Sequence, residues 1–154
     1  MNARTLQKAM VEDLKALFEK RSYNTPDGLG PLNVYAQGIP HRESEDDDDP
    51  FPYIIVRLDS GEIRSQTDNY KIALVLIIGI YEDSADNNGH EQVMEIIETI
   101  QSHYEEVPLL AGQFVCSDPV SWALQDEPSY PFFFGALNLT FDVPAPRRAY
   151  TDLV

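Results

Sequence analysis

The side chains with which a reaction could be built are few: one cysteine, Cys116, and three histidines, His41, His90 and His103. A Cys–His hydrolase needs its thiol beside an activating base. His41 falls in an acidic run, and His90 and His103 sit at positions of a helical pattern that read as exposed, so no spacing delivers a histidine to Cys116. The histidines also lack the short ligand spacing of a zinc site. The sequence contains no Gly-rich phosphate loop and no nucleophile elbow. Asp126 and Glu127 are adjacent carboxylates in a proline-bounded turn, the setting of solvated acids rather than of an acid–base pair. Trp122 and Phe132–Phe134 offer material for a binding patch, but their strand spacing predicts a core role. The expectation is a non-enzymatic chain with no catalytic residue, no metal ligand and no cofactor, in which Cys116 packs.

The remaining chemistry is charge. His41–Pro50 reads HRESEDDDDP, with acids at Glu43, Glu45, Asp46, Asp47, Asp48 and Asp49 and no hydrophobic residue. Such a run repels itself and stays solvated. It reads as an exposed loop, or as a contact for a cation or an assembly partner. Four consecutive aspartates do not match the spaced ligands of an EF-hand loop. The whole chain carries a formal charge of −15, which argues against nucleic acid, whose phosphates demand Lys and Arg. It equally disfavours an anionic membrane surface. A single thiol makes no internal disulfide, which points to a reducing compartment. The N-terminal stretch MNARTLQKAMVEDLK lacks the apolar run of a signal peptide, so a cytoplasmic site of synthesis is expected.

The elements that must position these residues are organised around Tyr70–Tyr81, YKIALVLIIGIY. Ile72, Leu74, Leu76, Ile78 and Ile80 share one face of an extended strand, and Ala73, Val75, Ile77 and Gly79 share the other. β-Branched residues and two apolar faces predict a central strand covered on both sides. The apolar run is about half the roughly 20 residues that span a bilayer. A helix is expected from Ala3 to Lys20, on the stripe Leu6, Met10, Leu14 and Leu17. A second runs from Gly89 to about Glu106 through Val93, Ile96, Ile97, Ile100 and Tyr104, with Asn88 and Glu91 suggesting a capping box. Ser22–Leu32 reads as a loop, Asn33–Gln37 as a short extended piece, Phe51–Leu58 as a strand and Asp59–Gly61 as a turn. Strands 51–58 and 70–81 are expected to pair antiparallel. Gln113–Leu124 looks extended, with Pro119 placing it at an edge or a bulge. Phe132–Val143 alternates, with Phe133, Leu137, Leu139, Phe141 and Val143 pointing inward. The predicted fold is α+β: a mostly antiparallel sheet with two main helices packed on one face. Residues 1–146 read as a single domain, and 147–154 as a mobile C-terminal tail.

The segments PFPYIIVRLDSGE (Pro50–Glu62), GIYED (Gly79–Asp83) and PSYPFFFGALNLTFDVP (Pro128–Pro144), spaced by an amphipathic helix, resemble the neck and tail-completion proteins of tailed bacteriophages and prophages. The closest type is the tail terminator. The similarity covers about residues 50–146; the DDDD loop is a departure from it. The resemblance implies a virion structural protein that assembles into a ring, usually a hexamer. Such a ring caps the finished tail tube and meets the head connector. The implied partners are further copies of the chain, the tail tube protein and the head connector protein. The implied location is the host cytoplasm during assembly and then the virion neck. The family carries no signature interface residues. A different class of reading, a monomeric acidic binding module that engages a basic protein, also fits the charge.

Overall fold

The computed structural model describes residues 2–41 and 49–143. In chain order these are α1 (Ala3–Phe18), β1 (Tyr23–Thr25), β2 (Gly28–Gly30), β3 (Asn33–Ala36), β4 (Tyr53–Glu62), β5 (Tyr70–Tyr81), α2 (Gly89–Glu106), β6 (Leu109–Leu110), β7 (Phe114–Leu124) and β8 (Phe132–Val143). A six-stranded sheet runs β3-β4-β5-β8-β7-β6, and β1 and β2 form a small separate hairpin. Only β3 and β4 pair in parallel; every other neighbouring pair is antiparallel. The fold is α+β, as the sequence predicts. The segment expected to be a mobile tail, 147–154, lies outside the described residues.

β5 is internal and pairs along its whole length with β8, from Tyr70↔Val143 to Tyr81↔Phe132. Its other edge pairs with β4, so the antiparallel pairing expected from the short connection is present. Ile72, Leu74, Leu76, Ile78 and Ile80 point into one core with Leu137, Leu139 and Phe141 of β8. Both helices cover that face. α1 buries Leu6, Met10, Val11, Leu14 and Phe18, and α2 buries Val93, Ile96, Ile97, Ile100 and Tyr104. Burying one such aliphatic side chain stabilises the fold by about 1.5–3 kcal/mol. Asn2 caps α1, its Oδ1 accepting the Thr5 N–H at 2.9 Å. Close approach of α2 to the sheet depends on two glycines: the Phe133 ring lies where a β-carbon on Gly89 would sit, and Val93 fills the same space at Gly135.

The structure departs from the sequence reading in four places. Ser22–Leu32 contains the β1–β2 hairpin, because Pro26 and Asp27 make a tight reversal and Gly28, at φ +118°, starts the return strand opposite Thr25. Asp59–Gly61 is no turn: β4 runs on through it to Glu62, absorbing the residue between Leu58 and Ser60 as a bulge. Asn88 precedes α2 but makes no side-chain cap bond, so the capping box does not form. β3 ends at Ala36, and Gln37 then extends the edge with its backbone N–H, which donates to the Val56 carbonyl at 2.8 Å, and with its side chain. Its Oε1 accepts the Leu58 N–H at 3.0 Å, and Gln7 Nε2 donates to that same oxygen at 2.9 Å.

Candidate functional site

The face of the sheet opposite the helices carries the other set of alternating residues. On β5 these are Ala73, Val75, Ile77 and Gly79; on β4, Tyr53, Ile55 and Arg57; on β8, Phe132, Phe134, Ala136 and Asn138. Among the described residues no helix or strand packs over this face. The described residues therefore do not supply the expected second cover of β5, and Ala73, Val75 and Ile77 are only half-buried. One end of the face is aromatic. The Phe51 ring centroid lies 4.9 Å from Tyr53, 4.5 Å from Phe132 and 5.9 Å from Phe134, and Tyr81 lies 5.7 Å from Phe132. The other end is charged, with Lys71 Nζ 2.9 Å from Asp142 Oδ1. The face thus grades from aromatic through aliphatic to polar, a composition suited to binding a surface rather than a small substrate.

A groove of about 430 Å³ lies on the helix side, between the C-terminal half of α2 and β7. Tyr104, Leu139 and Val120 give it apolar walls, and Glu105 and Asp118 add carboxylates. Neither carboxylate has an ion-pair partner among the described residues. The outer edge of β7 is nearly free. β6 pairs only with Phe114 and Val115, and the Cys116 N–H donates to the Pro108 carbonyl at 2.8 Å. Beyond that, Ser117–Leu124 has no outer strand among the described residues. A bulge between Ser117 and Ser121 includes Pro119, as the proline predicts, and the Thr140 Oγ1 hydroxyl holds it by donating to the Pro119 carbonyl at 3.0 Å.

The acidic run is only partly visible: Glu43, Glu45, Asp46, Asp47 and Asp48 lie outside the described residues. Asp49 is half-buried, and its Oδ1 accepts the Phe51 N–H at 2.9 Å, which fixes the chain as it enters the aromatic cluster. Cys116 is half-buried in the groove wall. Burial, and then the Asp118 carboxylate, push its thiol up, opposite to the depressed pKa of a reactive cysteine. Asp126 and Glu127 are exposed, in keeping with solvated acids.

Two expectations are corrected here. His103 is not an exposed helical residue: its Nε2 lies 2.9 Å from Asp13 Oδ2, and the Tyr104 hydroxyl donates to the same oxygen at 2.6 Å. This cluster joins α1 to α2, and the pairing of positions far apart in the chain left no local signal. Trp122 is not core but 47% exposed. Trp122 follows the bulge on a strand whose outer edge is open among the described residues, so alternation there does not report burial. Phe132 and Phe134 are half-buried on the uncovered face, and only Phe133 enters the core.

Among the described residues no group of His, Cys, Asp and Glu could hold a metal ion. No helix among them is long and apolar enough to cross a membrane. No protein-family model matches the chain, and no curated protein matches it.

Proposed function

We propose that the chain is a structural subunit of a tailed-phage neck: a tail terminator whose ring, a hexamer, caps the tail tube and meets the head connector. The uncovered apolar sheet face carries this reading. A strand apolar on both faces, with helices on one, leaves Val75, Ile77 and the Phe51–Phe132–Phe134 rings half-buried among the described residues and open to cover from outside. On a lone soluble chain such a face is an aggregation hazard; in an assembly it is an interface. The side-chain chemistry points the same way. The one thiol is pushed away from ionisation, and the best-formed polar cluster, Asp13–His103–Tyr104, ties two helices together instead of lining a cleft. The role is thus structural rather than catalytic, with the tail tube and head connector proteins as partners.

Sedimentation equilibrium with negative-stain imaging tests the reading. A ring has a mass several times the 17.4 kDa of the chain and shows rotational symmetry. A particle that stays monomeric at every concentration and salt defeats it, and leaves the acidic module with a basic partner as the better account.

A further inference from the structure

We propose that the groove between α2 and β7 receives the C-terminal segment, residues 144–154, of a neighbouring copy in the ring; the inference rests on the ring-subunit reading. Three features select this occupant. The first is charge. In a chain of net −15, the segment PAPRRAYTDLV carries Arg147 and Arg148 against a single Asp152. The groove offers Glu105 and Asp118, whose carboxylates have no ion-pair partner among the described residues. An arginine fork is well matched to a carboxylate.

The second feature is the open backbone. From Ser117 to Leu124 the outer edge of β7 lacks a strand among the described residues, so an extended segment can pair along it beyond the bulge. Addition of a strand at an edge gives affinity through the main chain, and a neighbouring pocket gives specificity. The Tyr104, Val120 and Leu139 walls supply that pocket. An aromatic side chain suits its volume, and Tyr150 follows Arg148 by two positions, on the same side of an extended chain.

The third feature is reach and direction. β8 delivers Val143 beside the start of β7, at the end of the sheet where β6 is paired. Extended, residues 144–154 reach about 35 Å, enough to cross to an adjacent subunit. Return to the chain's own groove requires a reversal around β6, whereas Pro144 and Pro146 favour extended backbone at and before each proline.

Cys116, the sole cysteine, lines the groove and serves as a reporter. In the assembled full-length protein its reaction with a thiol reagent should be about tenfold slower than in the chain lacking 144–154. The Arg148→Cys variant, mildly oxidised, should give disulfide-linked multimers on a non-reducing gel, and adding Cys116→Ser should abolish them. Three results overturn the inference: equal Cys116 reactivity with no cross-link, a disulfide within one chain, or multimers that survive Cys116→Ser. Sedimentation of the unmodified protein separates the two levels. A ring without Cys116 protection sinks the inference and spares the ring; a monomer without protection sinks both.

Discussion

The ring of Tyr53 packs against Gly79, in the space that a β-carbon on that glycine would occupy. The two residues are register partners on β4 and β5, and the contact is what lets the aromatic end of the uncovered face close on itself. Tyr53 is buried there, beside the Phe51 ring. Gly79→Ala should therefore displace the ring and destabilise the protein by about 1–3 kcal/mol, the usual cost of overpacking. Adding Tyr53→Ala should remove much of that penalty. A urea-unfolding double-mutant cycle checks the coupling; strictly additive effects would show that the two residues do not contend for the same space.

Tyr104 predicts a dependence on alkaline pH. Burial, and then the hydrogen bond to Asp13, raise its pKa far above the ordinary phenol value of 10.0. The folded state thus keeps the phenol protonated where the unfolded chain ionises it. The resulting stability is complete below the unfolded pKa of about 10 and declines as pH rises above it, by up to about 1.4 kcal/mol per pH unit. Burial also raises Tyr23 and Tyr53, so the decline is shared. Tyr104→Phe should make the loss above pH 10 shallower, while costing about 1 kcal/mol at neutral pH for the hydrogen bond to Asp13. Thermal melts from pH 8 to 11 measure both. An unchanged alkaline slope would remove Tyr104 from the account.

What the sequence made legible follows from range. β5, α2 and β8 have the expected bounds because each carries its own periodicity over a dozen or more residues. Asp59–Gly61 misled because Asp, Ser and Gly are turn residues by local chemistry, while the pairing of β4 with β5 overrides them. Trp122 misled because a bulge alters what alternation means. The candidate surface was half legible. Two apolar faces on one strand are plain in Tyr70–Tyr81, and they demand two covers. Which face the helices leave open depends on how α1 and α2 meet through Tyr104, Met10 and Asp13, a long-range matter.

Adjacent residues of β5 should accordingly respond in opposite ways. Leu76 is fully buried under the helices, and Leu76→Asp should abolish soluble expression, since an unpaired buried carboxylate costs several kcal/mol, comparable to the stability of a domain. Ile77 is half-buried on the open face. Ile77→Asp should leave a soluble, cooperatively melting chain that no longer assembles. The pair is read by solubility, circular dichroism and sedimentation together. An Ile77→Asp protein that still forms the ring would place the interface elsewhere; a soluble, native-like Leu76→Asp protein would contradict the core described here.

The acidic run should oppose association through its charge. Each copy brings a formal −15 to the assembly, and Glu43 to Asp49 contribute six acidic side chains just before β4. Repulsion among exposed charges is screened over about 8–10 Å at 0.1–0.15 M salt, so moderate salt or millimolar magnesium should favour the ring. Replacing Asp46, Asp47, Asp48 and Asp49 by Asn removes four of these charges and should lower the salt needed for assembly. Stability of the single chain should change by less than about 0.5 kcal/mol, since an acidic run without a hydrophobic residue adds nothing to the core. At position 49 the asparagine side-chain oxygen still accepts the Phe51 N–H, so the entry to the aromatic cluster is retained. Sedimentation velocity of both forms across a salt series, with and without magnesium, reads the difference. Identical assembly at every salt would make the run a bystander. Failure of the Asn form to assemble would mean that the aspartates are contacts or cation ligands, and that their net effect on association has the opposite sign.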